Sequence, residues 1–183
     1  MLTADELIKE ISATMVKSRV VKLSAILQKQ QFSLRDLIDI TFHQDRNIGF
    51  RAAWILENLF LQKPTSYLHD ISYLLSRIKD VTNPSCKRHY AKIVMHATSP
   101  KSPVTIQQEL IKIDLEPVVE QLFDWMIDPK VLIAVKVFAA QGLFNLRNRY
   151  GWLTEELANQ IRFLMRDGSA AIQSRGRKLL SQL

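Results

Sequence analysis

Apolar residues three and four positions apart recur along the whole of this chain, and no stretch sustains the strict apolar/polar alternation of a half-buried strand. That periodicity restricts the chain to helices. A first helix is predicted over about residues 4–16, behind a Thr3–Glu6 capping box, with Leu7, Ile8, Ile11 and Met15 on one stripe. A second, about 18–30, aligns Val20, Leu23 and Leu27, and Ser33 caps a short helix carrying Leu34, Leu37, Ile38 and Ile40. A longer one runs from Arg46 to Gln62.

Prolines mark most of the remaining starts. Pro64, Pro84, Pro103, Pro117 and Pro129 fall where helices would open, a position at which the missing N–H costs no intrahelical bond. They predict helices over about 64–79, 84–98, 103–113, 117–127 and 129–149, with Asn83 and Asp128 as side-chain caps. Gly151 and Gly168 then separate two more, about 153–166 and 169–182. The proline-rich, weakly apolar segment 97–103 is expected to be a mobile loop.

Four of these segments share a beginning. Helices that open at Asp45, Asn83, Asp128 and Asp167 follow one another at intervals of 38, 45 and 39 residues, and each is the second of a pair. A period near 40 residues, two helices to the unit, predicts stacked helical hairpins, each burying its apolar face on its neighbours. The longest interval holds an extra short helix. The pattern of Asp45, Arg51, Ala52, Ala53 and Leu56, and of Asp128, Pro129, Val131, Ala134 and Ala139, resembles the second helix of HEAT repeats. The resemblance implies an all-α fold, a short right-handed superhelix of about five hairpins, with the second helices lining its inner side.

With 183 residues, 47% of them hydrophobic and 23% charged, the chain is expected to fold throughout as a single domain, residues 1–183. The lone Cys86 has no disulfide partner, and Asp5, Glu6 and Glu10 stand where a secretory signal would be basic and then apolar, so a cytoplasmic protein is expected. The longest apolar run, Val131 to Phe144, is broken by Lys136 and Gln141 and is too short to span a membrane.

No motif for chemistry emerges. GxSxG, GxxxxGKS/T, GxGxxG and HExxH are all absent, and His43, His69, His89 and His96 are scattered over different helices or heights. Cys86 and His89 could share a helix face, but two ligands do not make a zinc site. No metal, cofactor or catalytic residue is therefore expected, and the protein reads as non-enzymatic. Trp54, Trp125 and Trp152 are each read as core residues rather than stacking platforms, since Trp54 and Trp125 have apolar neighbours. Gly49, Gly142 and Gly176 lie inside second helices, where glycine costs about 1 kcal/mol against alanine, so close helix contact is expected there.

Charge is divided between the two helix sets. The predicted second helices hold 15 of the 25 basic residues and a single interior acid, Glu57, which makes them +14 while the rest of the chain is −7. A surface lined by them would attract acidic peptides or phosphates. The binding residues expected are Arg51, Lys87, Arg88, Lys92, Lys136, Arg175, Arg177 and Lys178, and the expected partner is an acidic protein segment. Nucleic acid is the alternative, in the manner of the HEAT-like DNA glycosylases that the pattern also resembles, although Glu57 is the sole interior candidate for their catalytic carboxylate.

Overall fold

The computed structural model describes residues 2–13, 17–27, 29 and 32–183, with residues 17–19 given by their backbone alone. Met15 and the side chain of Arg19 lie outside the described residues. So do the predicted ends of the first two helices at 14–16, 28 and 30.

Among the described residues eleven α-helices follow in order: α1 (Ala4–Ser12), α2 (Lys17–Leu27), α3 (Leu34–Ile40), α4 (Arg46–Gln62), α5 (Ile71–Ser76), α6 (Pro84–Ala97), α7 (Val104–Lys112), α8 (Glu116–Ile127), α9 (Ile133–Leu146), α10 (Leu153–Met165) and α11 (Ala170–Leu180). Among the described residues the β pairing is limited to one isolated bridge between Leu2 and Phe32.

The local signals act as expected at four starts. Thr3 and Glu6 close a reciprocal capping box on α1, and Ser33 accepts from the Asp36 amide. Asp45 and Asn83 accept from the amides two residues on, opening α4 and α6. Two later starts differ. Asp128 turns its carboxylate to the Lys130 amide in a tight turn, so α9 begins only at Ile133, and α11 begins after Ser169 with no cap from Asp167.

The predicted helix over 64–79 is also broken, into a 3-10 turn at Pro64–Tyr67, then α5, then a second 3-10 turn at Ile78–Asp80. Tertiary contacts override the helical pattern there. Tyr67 is buried edge-on against Phe60 and donates its hydroxyl to Leu56 O at 2.7 Å, which holds the chain out of a regular helix.

The helices pack in two layers. α2, α4, α6, α9 and α11 stack side by side as one layer, and α1, α3, α5 and α8 follow one another in the other, with α10 closing it against α9 and α11. This is the arrangement of consecutive hairpins in a helical-repeat superhelix. The inserted α7 supplies the extra length of the 45-residue interval and buries Ile106 and Leu110. The segment before it is tethered: Gln107 donates to Pro100 O and Ser102 O, and Asn145 donates to Thr98 Oγ1.

The helical glycines mark close approach. A Cβ on Gly49 would stand 2.8 Å from Thr41 O, and one on Gly142 would meet the Leu122 side chain at 3.2 Å. At Gly176 it would collide with Met165. The three tryptophans part company. Trp125 is 2% exposed, and Trp54 is half-buried against Phe50 and His89. Trp152 is 47% exposed and is not a core residue. It sits at the start of α10, where the Phe123 ring of α8 covers it only in part.

Candidate binding face on the second helices

Twelve basic residues and one acid lie within α2, α4, α6, α9 and α11, whereas α1, α3, α5, α8 and α10 hold three basic residues and ten acids. Stacking therefore gathers each sign into its own layer. The single acid of the basic layer is Glu57 on α4, which is 6% exposed. Its carboxylate meets His89 Nδ1 at 2.6 Å and Lys92 Nζ at 2.5 Å, both on the next second helix. An ionised carboxylate can only accept, so Nδ1 of His89 carries the proton.

Burial pushes the Glu57 carboxyl up, but the hydrogen bonds from His89 and Lys92, with their charge, outweigh it and hold the group below its ordinary value. Glu57 is thus ionised and satisfied at neutral pH. The His89 ring stacks on Trp54 with centroids 6.3 Å apart and lies 5.5 Å from Phe50, so the ion cluster has an aromatic flank. One turn on along α6, burial depresses the pKa of His96, and the Lys92 charge adds to the effect.

The other expected binding residues have varied surroundings. Arg51 donates Nη1 to Ser12 O at 2.7 Å, at the carboxyl end of α1. Lys87 leans toward the Trp125 ring, 6.0 Å from its centroid. Lys136 is 8% exposed, and its burial lowers its pKa against a weaker opposing effect of Asp128. Arg175 donates to Gln141 Oε1 at 2.7 Å, bridging α11 to α9. Arg88, Arg177 and Lys178 are exposed, and none of them forms an ion pair among the described residues.

The structure therefore brings Lys92 together with Glu57 and His89, leaves Arg88, Arg177 and Lys178 open to solvent, and turns Arg51, Lys87 and Lys136 toward the protein. Arg147 and Arg149, counted at sequence level with the basic set, lie just beyond α9. Arg149 forks onto the carbonyls of Leu110 and Ile113, closing α7. Sequence spacing could not show these uses, because the partners stand 32 to 39 residues away. The residues it missed outright are Phe50, Trp54 and His89 as a cluster beside Lys92.

Cys86 and His89 do not share a site. The Cys86 thiol points at Thr41 O, 3.7 Å away, with its pKa pushed up to about 12 by burial. Among the described residues no three His, Cys, Asp or Glu side chains gather as a metal site would require, and no helix is long and apolar enough to cross a membrane.

The two-layer stack with its period near 40 residues agrees with the sequence model of the HEAT repeat domain, which matches residues 4–183. The chain belongs to the HEAT repeat family. No curated protein and no solved structure matches it. As a HEAT repeat protein it has the architecture of a scaffold for protein–protein interaction, in which stacked hairpins present one extended surface to a partner.

Proposed function

We propose that this HEAT repeat protein is a non-enzymatic interaction module, acting as one domain over residues 1–183, that holds an acidic protein segment against its second-helix face. The observation that carries the reading is the state of Glu57. The only acid within the basic layer is buried and neutralised by Lys92 and His89, so every charge that layer offers to solvent is positive. An incoming acidic segment meets Arg88, Arg177 and Lys178, with no acid inside the five helices left open to solvent. Phe50 and Trp54 add an apolar flank beside His89. Because Glu57 is closed off, the described second helices hold no open carboxylate within their bounds, which favours binding over catalysis. The single buried thiol suits a cytoplasmic protein.

Titration of a labelled oligoglutamate peptide, duplex DNA and RNA at two salt concentrations tests this. The variant to compare is Arg88→Glu with Arg177→Glu and Lys178→Glu, which leaves the Lys92–Glu57 pair intact. The peptide should bind the parent and bind the variant roughly tenfold or more weakly. Equal peptide binding by both proteins would defeat the reading. If nucleic acid alone binds, with the steep salt dependence of counterion release, the alternative drawn from the HEAT-like DNA glycosylases takes its place.

A further inference from the structure

The first-helix side of the protein carries a surface of opposite chemistry. Trp152, 47% exposed, stacks on Phe123 of α8 with ring centroids 5.9 Å apart and an interplanar angle of 28°, and Tyr150 extends the group at 6.4 Å from Trp152. Four exposed carboxylates flank this shelf along the sequence of its own helices. Glu120 and Asp124 lie within one turn of Phe123 on α8, and Glu155 and Glu156 lie in the first turn of α10, directly after Trp152. None of the four side chains has an ion pair or hydrogen bond among the described residues.

Helix stability explains only part of this set. Glu155 and Glu156 favour the amino end of α10, but Asp124 sits in the last turn of α8, where a carboxylate opposes the helix dipole. Solubility does not call for an exposed tryptophan either. A cation set over an indole face and held by carboxylates satisfies both features at once, and the planar guanidinium of arginine does so best. The basic residue beside the shelf is not available for that place: Arg149, 5.8 Å from the Tyr150 ring, is committed to the carbonyls of Leu110 and Ile113.

The geometry points to the Phe123–Trp152 shelf as a docking site for an arginine-bearing basic segment of a partner protein. It stands apart from the proposed acidic-segment face, so the protein has two surfaces of opposite selectivity and links a basic partner to an acidic one.

Fluorescence anisotropy with a labelled peptide of alternating arginine and glycine tests the assignment on the full chain. The parent should bind it, and should bind a lysine–glycine peptide of equal charge several-fold more weakly. Trp152→Ala and the pair Glu155→Gln, Glu156→Gln should each weaken arginine-peptide binding about tenfold, while the Arg88, Arg177 and Lys178 charge-reversal variant keeps it. The glutamine pair changes charge without touching the stacked rings, so it stands even if Trp152→Ala lowers the melting temperature. Failure of the parent to bind the arginine peptide, or parental binding by the glutamine pair, overturns the proposal. Loss of binding in the charge-reversal variant would place the peptide on the other face and overturn it equally.

Discussion

The two helix layers solve the problem of charge in opposite ways. In the first-helix layer, oppositely charged groups meet at the surface: Arg35 pairs with Asp70 at 2.9 Å, and Arg77 pairs with Asp39 and Asp80 while lying 4.3 Å over the Phe42 ring. The second-helix layer has no such reserve of acids. Its arginines turn instead to neutral acceptors, the Ser12 carbonyl for Arg51 and the Gln141 amide for Arg175, and its one carboxylate is spent inside. Ion pairing therefore trims the charge of one layer, whereas carbonyl capping leaves the charge of the other in place. A layer stabilised in that second way keeps its positive charge.

Breaking the interior cluster should have the largest effect. Glu57→Gln removes the charge that answers Lys92 and leaves buried donors poorly matched, so it should cost about 3 kcal/mol, read as a lower urea midpoint at unchanged slope. Glu57 is held below its ordinary pKa of 4.5 in the folded protein, so its contribution is complete above that value and is lost as the pH falls through the depressed one. Stability of the glutamine variant should accordingly fall less on acidification. An unchanged midpoint would mean that the cluster is not a support of this layer.

Lys136 sharpens the same contrast from the other side. It is a nearly buried cation with no ion pair among the described residues, and Lys136→Met keeps its length while removing the desolvation cost. The variant should gain about 1 kcal/mol in the same measurement. A loss of stability would show that the ammonium has a partner worth keeping. The smallest effect belongs to the solvent-exposed ladder, where Arg35→Ala should cost about 0.5 kcal/mol and lose even that in high salt. A cost near that of Glu57→Gln would erase the distinction between the layers.

Local signals in the sequence account for most of the fold and for little of the site. Thr3, Ser33, Asp45 and Asn83 are caps whose partners lie two or three residues away, so their helices can be placed from sequence alone. Tyr67 defeats the same reasoning at 64–79, because its partners Phe60 and Leu56 come from a different element. The separation of charge was legible, since it depends on which helix of a pair a residue occupies. Which cations remain free was not. Arg51 and Arg88 look alike in sequence, and only the packing gives one a carbonyl and the other solvent. Trp152 likewise has the composition of a core residue and the position of a surface one.

Arg51 and Arg149 each reach a main-chain oxygen 39 residues upstream, to Ser12 and to Leu110. The same bond thus recurs at two junctions of the stack, joining the end of an earlier helix to a later element. Helices as short as α3, with 7 residues, and α5, with 6, cannot persist alone in water, so a hairpin built on them has little intrinsic stability. In a one-dimensional array, weak units joined by strong junctions unfold together, whereas strong units joined weakly fray from the ends. Short hairpins tied by a recurring arginine clasp are features of the first class, so a break at a single junction is expected to be felt beyond the two hairpins it joins.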